Sequence, residues 1–218
     1  MPLRSDFRDG VRAILGLTPA AFAFGASFAV LAHAAGVGGL AATVMSATTF
    51  AGSAQVATVS ILGTGGGLAA AVVAALLLNA RYGAISVSVA PGFRGSVLRR
   101  LVESQLIVDE SWAVSVQPDG RVARRVLLGA GATLWIFWTA GTVVGAVAGE
   151  AIGDPNRLGL DGAFPALFLA LLAPQLRNRR AVAAALIGAA IAFALIPFTP
   201  AGVPIVAATA GCLVGWRR

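Results

Sequence analysis

The 218-residue chain has no lysine, one cysteine, one histidine and one tyrosine, and only 11% of its residues are charged. A single cysteine (Cys212) and a single histidine (His33) exclude a disulfide framework and any zinc site needing several Cys or His ligands. The scarcity of charge excludes more. A water-soluble domain is about 25% charged and about 45–50% apolar, whereas this chain is 58% apolar with a mean hydropathy of +0.86. All 16 arginines and all nine acids fall outside four stretches, 13–80, 126–149, 162–176 and 181–216, which together hold 143 residues. A bilayer-crossing helix takes roughly 20 apolar residues, so these stretches fill about seven crossings. The composition predicts an all-α, polytopic helical membrane protein of about 6–7 membrane segments.

The net charge of +7 does not indicate a nucleic-acid binder, because the arginines punctuate apolar spans instead of clustering on one face. They fit cytoplasmic anchoring of a multi-pass membrane protein. Arg4, Arg8 and Arg12 ahead of an apolar run resemble the start of a signal peptide. More membrane follows, so the reading is a retained first helix with both termini of the chain cytoplasmic.

The first span runs over about 11–34 and carries Thr18-Pro19, where a kink is expected. The stretch 37–62 is too polar to face lipid: Thr43, Ser46, Thr48, Thr49, Gly52, Ser53, Thr58 and Ser60 accompany the amide Gln55. A glycine run at 63–67 precedes the aliphatic 68–78, which stops at Asn79-Ala80-Arg81-Tyr82. Residues 91–125 are rich in arginine, and apolar positions 97, 98, 101, 102 and 106 give them an amphipathic, interfacial helix. Crossings at 126–149, 163–176, 181–196 and 205–215 put every later arginine cluster inside. Three full crossings before residue 91 would put the arginine-rich loop outside. Either 37–62 is a broken or re-entrant element, or the loop hides a crossing around 106–116; the first is favoured. The chain reads as one integral membrane domain, with possible halves 1–90 and 120–218 joined by 91–125, which would suit an inverted repeat.

Several polar groups are candidate site residues. Gly52 and Ser53 would let the backbone open inside the membrane and Gln55 would offer an amide to a substrate, or these groups simply bond helix to helix. Asn79 and Arg81 lie between apolar runs, where the guanidinium either forks onto a substrate carboxylate or snorkels to the headgroups. Asp109 and Glu110 either relay protons or offset Arg99 and Arg100. Asp161 either caps a short helix or faces a substrate amine. The repeated glycines at 141, 145 and 149, with 211 and 215, mark close helix packing, internal or with a partner. The 63–67 run lacks the Gly-Lys-Ser/Thr of a phosphate loop, and no cofactor is expected.

Four motifs in order, Phe50-Ala51-Gly52-Ser53-Ala54-Gln55, Leu77-Leu78-Asn79-Ala80-Arg81-Tyr82, Val108-Asp109-Glu110-Ser111 and Gly159-Leu160-Asp161-Gly162-Ala163-Phe164-Pro165-Ala166-Leu167-Phe168, resemble the AzlC family. The resemblance covers nearly the whole chain from Phe7. It implies the large subunit of an exporter of branched-chain amino acids, a permease of the bacterial inner membrane working with a small AzlD-type membrane subunit. Tyr82 stands where histidine is common in that family, so no role for a histidine carries over. Two other classes remain open: a non-transporting scaffold subunit, and an intramembrane hydrolase built on Ser53 and His33, for which one histidine on another helix is thin support.

Overall fold

The computed structural model describes residues 6–152, 178–199 and 203–215, together with residues 169, 172, 173 and 176. Among these residues the fold is helical, and its only β interaction is an isolated bridge between Val116 and Val122. Among the described residues, three helical stretches are long and apolar enough to cross a membrane: Phe7–Ala34, Leu68–Gly92 and Arg124–Ala148.

The first span comprises α1 (Phe7–Ile14), a 3₁₀ turn (Leu15–Leu17) and α2 (Thr18–Ala34). Pro19 has no N–H, which deprives the carbonyl four residues back, that of Leu15, of its helical donor. The Thr18 backbone N–H and, at 2.8 Å, the Thr18 hydroxyl donate to that carbonyl instead. An unsatisfied carbonyl is costly in a bilayer, so the kink expected at Thr18-Pro19 comes with its own remedy.

A long helix near the middle of the chain, α9 (Arg124–Ile152), runs parallel to this span. Gly10 and Gly25 lie against the backbone at Val126 and Trp138, while Gly129, Gly141 and Gly145 lie against the carbonyls of Phe7, Phe22 and Ala26. A Cβ at any of these five positions would collide with a backbone oxygen. Backbone-to-backbone contact of this kind is how membrane helices gain packing without a hydrophobic driving force. Gly141 and Gly145 are thus used inside the chain. The parallel arrangement also puts the arginine-bearing ends of both helices on one side, where Arg125 lies 3.7 Å from Asp6.

Between these spans, α3 (Gly39–Thr48) starts at the opposite side, with Gly39 packed on Ala146, and descends until Ser46 meets Thr142. The chain bends at 49–51, and α4 (Gly52–Gly63) climbs from Trp138 back to Ala35. The element expected to be broken or re-entrant therefore does both: it enters and leaves by the same side. The next crossing consists of α5 (Leu68–Asn79) and α6 (Arg81–Val89), interrupted at Ala80, and it brings Gly92 beside Arg124. With one re-entrant element and two crossings, the arginine-rich loop returns to the side of the N-terminus. This removes the conflict that three full crossings would create.

That loop has two parts. Helix α7 (Val97–Ser104) leaves Val97, Leu98, Leu101 and Val102 exposed on one face. On the other, Glu103 is nearly inaccessible, bonded by Arg124 and by Arg99 at 2.8 Å. The Arg124 hydrogen bond, more than any other influence, holds the Glu103 carboxyl below its ordinary value. Residues 105–108 then dip inward: the Leu106 carbonyl lies against Gly131, seven residues or about 10 Å along α9, and Val108 joins the core around Leu134. Helix α8 (Asp109–Ser115) carries the chain back. The loop thus makes a partial excursion over 106–116 where the sequence leaves room for a whole crossing.

Toward the C-terminus, α10 (Arg179–Leu195) is capped by Asn178 and packs antiparallel to α11 (Val203–Ala208) and a 3₁₀ segment (Thr209–Gly215), with Gly188 on Ala208 and Gly211 on Ala184. Val206 closes a small cluster with Ile61, Ala71 and Ala74. Most of the crossing expected at 163–176, and Asp161 before it, lie outside the described residues.

Candidate functional site

The bend between α3 and α4 is built around Phe50, whose φ of +40° is the only positive value at a non-glycine among the described residues. Such a conformation costs about 1–3 kcal/mol and persists only where its surroundings enforce it. Here the enforcement is polar. Gln55, with no exposed surface, accepts the Ala51 N–H at 3.1 Å and donates to Ser46 Oγ at 3.0 Å. Ser46 Oγ also accepts from Trp138 Nε1 at 3.1 Å. Both of its acceptor positions are then filled, so its own hydrogen goes to Thr142 Oγ1, 2.9 Å away. Thr142 in turn donates to the Trp138 carbonyl, and Trp135 Nε1 donates to Ala47 at the end of α3. The network leaves no ambiguity in proton direction and spans α3, α4 and α9.

In the first turn of α4, different groups remain available. The N–H groups of Gly52, Ser53 and Ala54 open a helix and have no intrahelical carbonyl to reach. Gly52 is required sterically, since a Cβ there would lie 2.7 Å from the Trp138 indole. Ser53 Oγ accepts from Arg81 Nη2 at 3.1 Å, and Arg81 Nη1 lies 3.0 Å from Asp109 Oδ2. The guanidinium carbon also sits 5.2 Å from the centre of the Tyr82 ring. Trp112 ties α8 to α6 by donating to Ser88 at 2.9 Å.

The depth of this cluster matters. Arg81 is thirteen residues from Leu68 and eleven from Gly92, the ends of its span, and Trp135 and Trp138, beside the bend, are midway along Arg124–Ala148. Three interruptions therefore meet near the membrane centre: the bend at 49–51, the break at Ala80 and the inward tip at 105–108. A charge at that depth costs about 2.5–3.5 kcal/mol even on the lenient insertion scale, and pairing with Asp109 offsets it. The pair is not sealed, however: the side chains of Arg81 and Asp109 are 44% and 41% accessible. Close by in sequence, Asn79 Oδ1 is buried without a hydrogen-bond partner, as are Gln105 Nε2 and Thr139 Oγ1.

Of the residues singled out from sequence, Ser53, Arg81 and Asp109 come together, with Gly52 and Asn79 adjoining them. Gln55 is turned the other way, its amide committed to Ser46 and Ala51. Glu110 is exposed beside Asp109, His33 lies in the last turn of α2, and Asp161 is outside the described residues. Sequence reasoning missed the roles of Trp135, Trp138 and Thr142, which read as ordinary parts of a crossing helix. Their only signal was two indole N–H groups inside a charge-free run, each in need of an acceptor.

A family model described as AzlC protein matches residues 16–152, a range containing α2 to α9 and hence the whole cluster. The inner membrane protein YgaZ of Escherichia coli (strain K12) is 26% identical over 197 residues, 84% of this chain and 77% of that protein. An uncharacterized membrane protein of Archaeoglobus fulgidus is 32% identical over 214 residues, 93% of this chain and 90% of that protein. No solved structure matches the chain significantly.

Proposed function

The chain belongs to the AzlC family of membrane proteins, and from that premise we propose that it is the large subunit of a secondary transporter. It would export branched-chain or similar hydrophobic amino acids across a bacterial inner membrane, together with a small AzlD-type membrane subunit, with both of its own termini cytoplasmic. The observation that carries this reading is the position of Arg81: a half-accessible guanidinium near the membrane centre, held between Ser53 at the start of α4 and Asp109 at the start of α8. Intramembrane ionisable groups mark substrate and ion pathways because nothing else justifies their cost.

In this reading Arg81, the first-turn amides at Gly52 and Ser53, and the Ser53 hydroxyl receive the substrate carboxylate. Asn79 contributes its unpartnered carbonyl oxygen, and Asp161 an acid at the outer vestibule. The alanine-, valine- and leucine-rich walls of α4 and α5 accept the aliphatic side chain. Gln55 acts through the bend it holds. Export against a gradient draws on the proton-motive force, with Asp109 and Glu110 as the carboxylates placed to exchange protons.

The test is export of labelled leucine from cells carrying this chain and its partner, comparing wild type with Arg81→Ala and Gln55→Ala. Loss of export in both is expected. Normal export by both would overturn the site assignment, and absence of export by the wild type would favour a non-transporting scaffold.

A further inference from the structure

We infer that the Arg81–Asp109 ion pair is itself the receptor for the substrate's backbone, opened by a zwitterion whose carboxylate takes Arg81 and whose ammonium takes Asp109. The inference rests on the transport reading above and deepens it by assigning the amine site and a physical basis for preferring zwitterions. In the structure the two side chains neutralise one another at 3.0 Å, both remain accessible, and the cluster lies near the centre of the span. At that depth any charge left without a partner is expensive.

Consider three ligands of one shape. A monocarboxylate that takes Arg81 leaves the Asp109 carboxylate unpaired next to it, with exposed Glu110 adding a second negative charge. A simple ammonium that takes Asp109 leaves Arg81 in contact with the neutral Ser53 hydroxyl and the Tyr82 ring face, with Glu110 acting on it only from outside hydrogen-bonding distance. A zwitterion replaces one ion pair by two and strands nothing. The Ser53 hydroxyl, already 3.1 Å from Nη2, keeps the guanidinium plane in place while Nη1 changes partner. Discrimination therefore arises from the penalty on the half-charged ligands, in the way a site built for a polar group rejects the analogue that lacks it. With the site empty, Asp109 holds the place of the substrate carboxylate.

The experiment measures binding of leucine, 4-methyl-2-oxopentanoate and 3-methylbutylamine to the full chain co-purified with its small membrane subunit in lipid nanodiscs, by displacement of labelled leucine or direct calorimetry. Wild type should bind leucine about tenfold or more tighter than either analogue, the value of one charge-assisted hydrogen bond. This comparison needs no variant, and equal binding of either analogue overturns the inference. Asp109→Asn should weaken leucine about tenfold or more while leaving the keto acid unchanged or tighter, so that the preference collapses. Keto-acid binding by that variant also shows that it is folded. Asp109→Glu, which keeps the carboxylate, should retain the preference. A preference unaltered in Asp109→Asn overturns the ion-pair receptor while the transport reading survives. A wild type that binds none of the three overturns the transport reading instead.

Discussion

Replacing Ser46 by alanine removes one oxygen from the network that holds the α3–α4 bend, and its consequences can be counted. Ser46 Oγ accepts from Gln55 Nε2 and Trp138 Nε1 and donates to Thr142 Oγ1. Without it two buried donors lose their acceptor, whereas Thr142 keeps its own bond to the Trp138 carbonyl. Each stranded buried donor costs about 1–3 kcal/mol in a protein interior, but interhelical hydrogen bonds in membranes average about 0.6 kcal/mol and reach about 1.7. The expected destabilisation of Ser46→Ala is therefore roughly 1–4 kcal/mol, read as a lowered unfolding midpoint in detergent. The more discriminating measurement is a double-mutant cycle with Gln55→Leu. Once Ser46 is gone, removing the Gln55 amide also removes one of the stranded donors, so the second substitution should cost less than it does alone. Strict additivity, or a Ser46→Ala midpoint equal to wild type, would refute the network as the support of the bend.

Two further outcomes follow from packing and charge. Gly25→Ala puts a methyl group onto the Trp138 carbonyl and should separate α2 from α9, costing at least the roughly 1–3 kcal/mol typical of overpacking; Gly16→Ala, with nothing within 4 Å, should leave the unfolding midpoint nearly unchanged. Glu103 is held by Arg124 and Arg99 below its ordinary value of 4.5, so its contribution to stability is present above that value and lost as pH falls through the depressed folded value. Unfolding midpoints measured from pH 7 down to pH 3 should fall at the acid end in wild type, and Glu103→Gln should start lower and flatten that part of the profile.

Much of this architecture was legible because lipid is an intolerant solvent. A long charge-free stretch belongs inside the membrane, and the hydroxyl and amide content of 37–62 means protein contact there, which makes the discontinuity legible in the sequence. The position of the bend was not. Phe50 has no intrinsic preference for positive φ, and the indoles that enforce it come from α9, some 90 residues later. The Glu103–Arg99 pair was visible as an i, i+4 spacing, while Arg81 and Asp109 share no helix and were read separately, one as a carboxylate fork or headgroup anchor, the other as a proton relay or surface charge. What hid their meeting was the inward tip at 105–108, because an arginine-rich loop has every compositional mark of lying flat at the interface. The repeated glycines announced close packing from sequence, but only α2 could identify the partner.

The parallel contact of the first span with α9 also constrains how the protein is made. Gly10 and Val126 touch although 116 positions separate them, so the first helix must wait in the bilayer, its glycine face uncovered, until the ribosome has delivered everything between. The two inward excursions made in that interval cannot settle first: the α3–α4 bend depends on indoles not yet synthesised, and the tip at 105–108 rests on Gly131. Translation of α9 is thus the assembly step, and a nascent chain stalled ahead of residue 124 should present quality-control proteases with an unclosed groove and a stranded arginine.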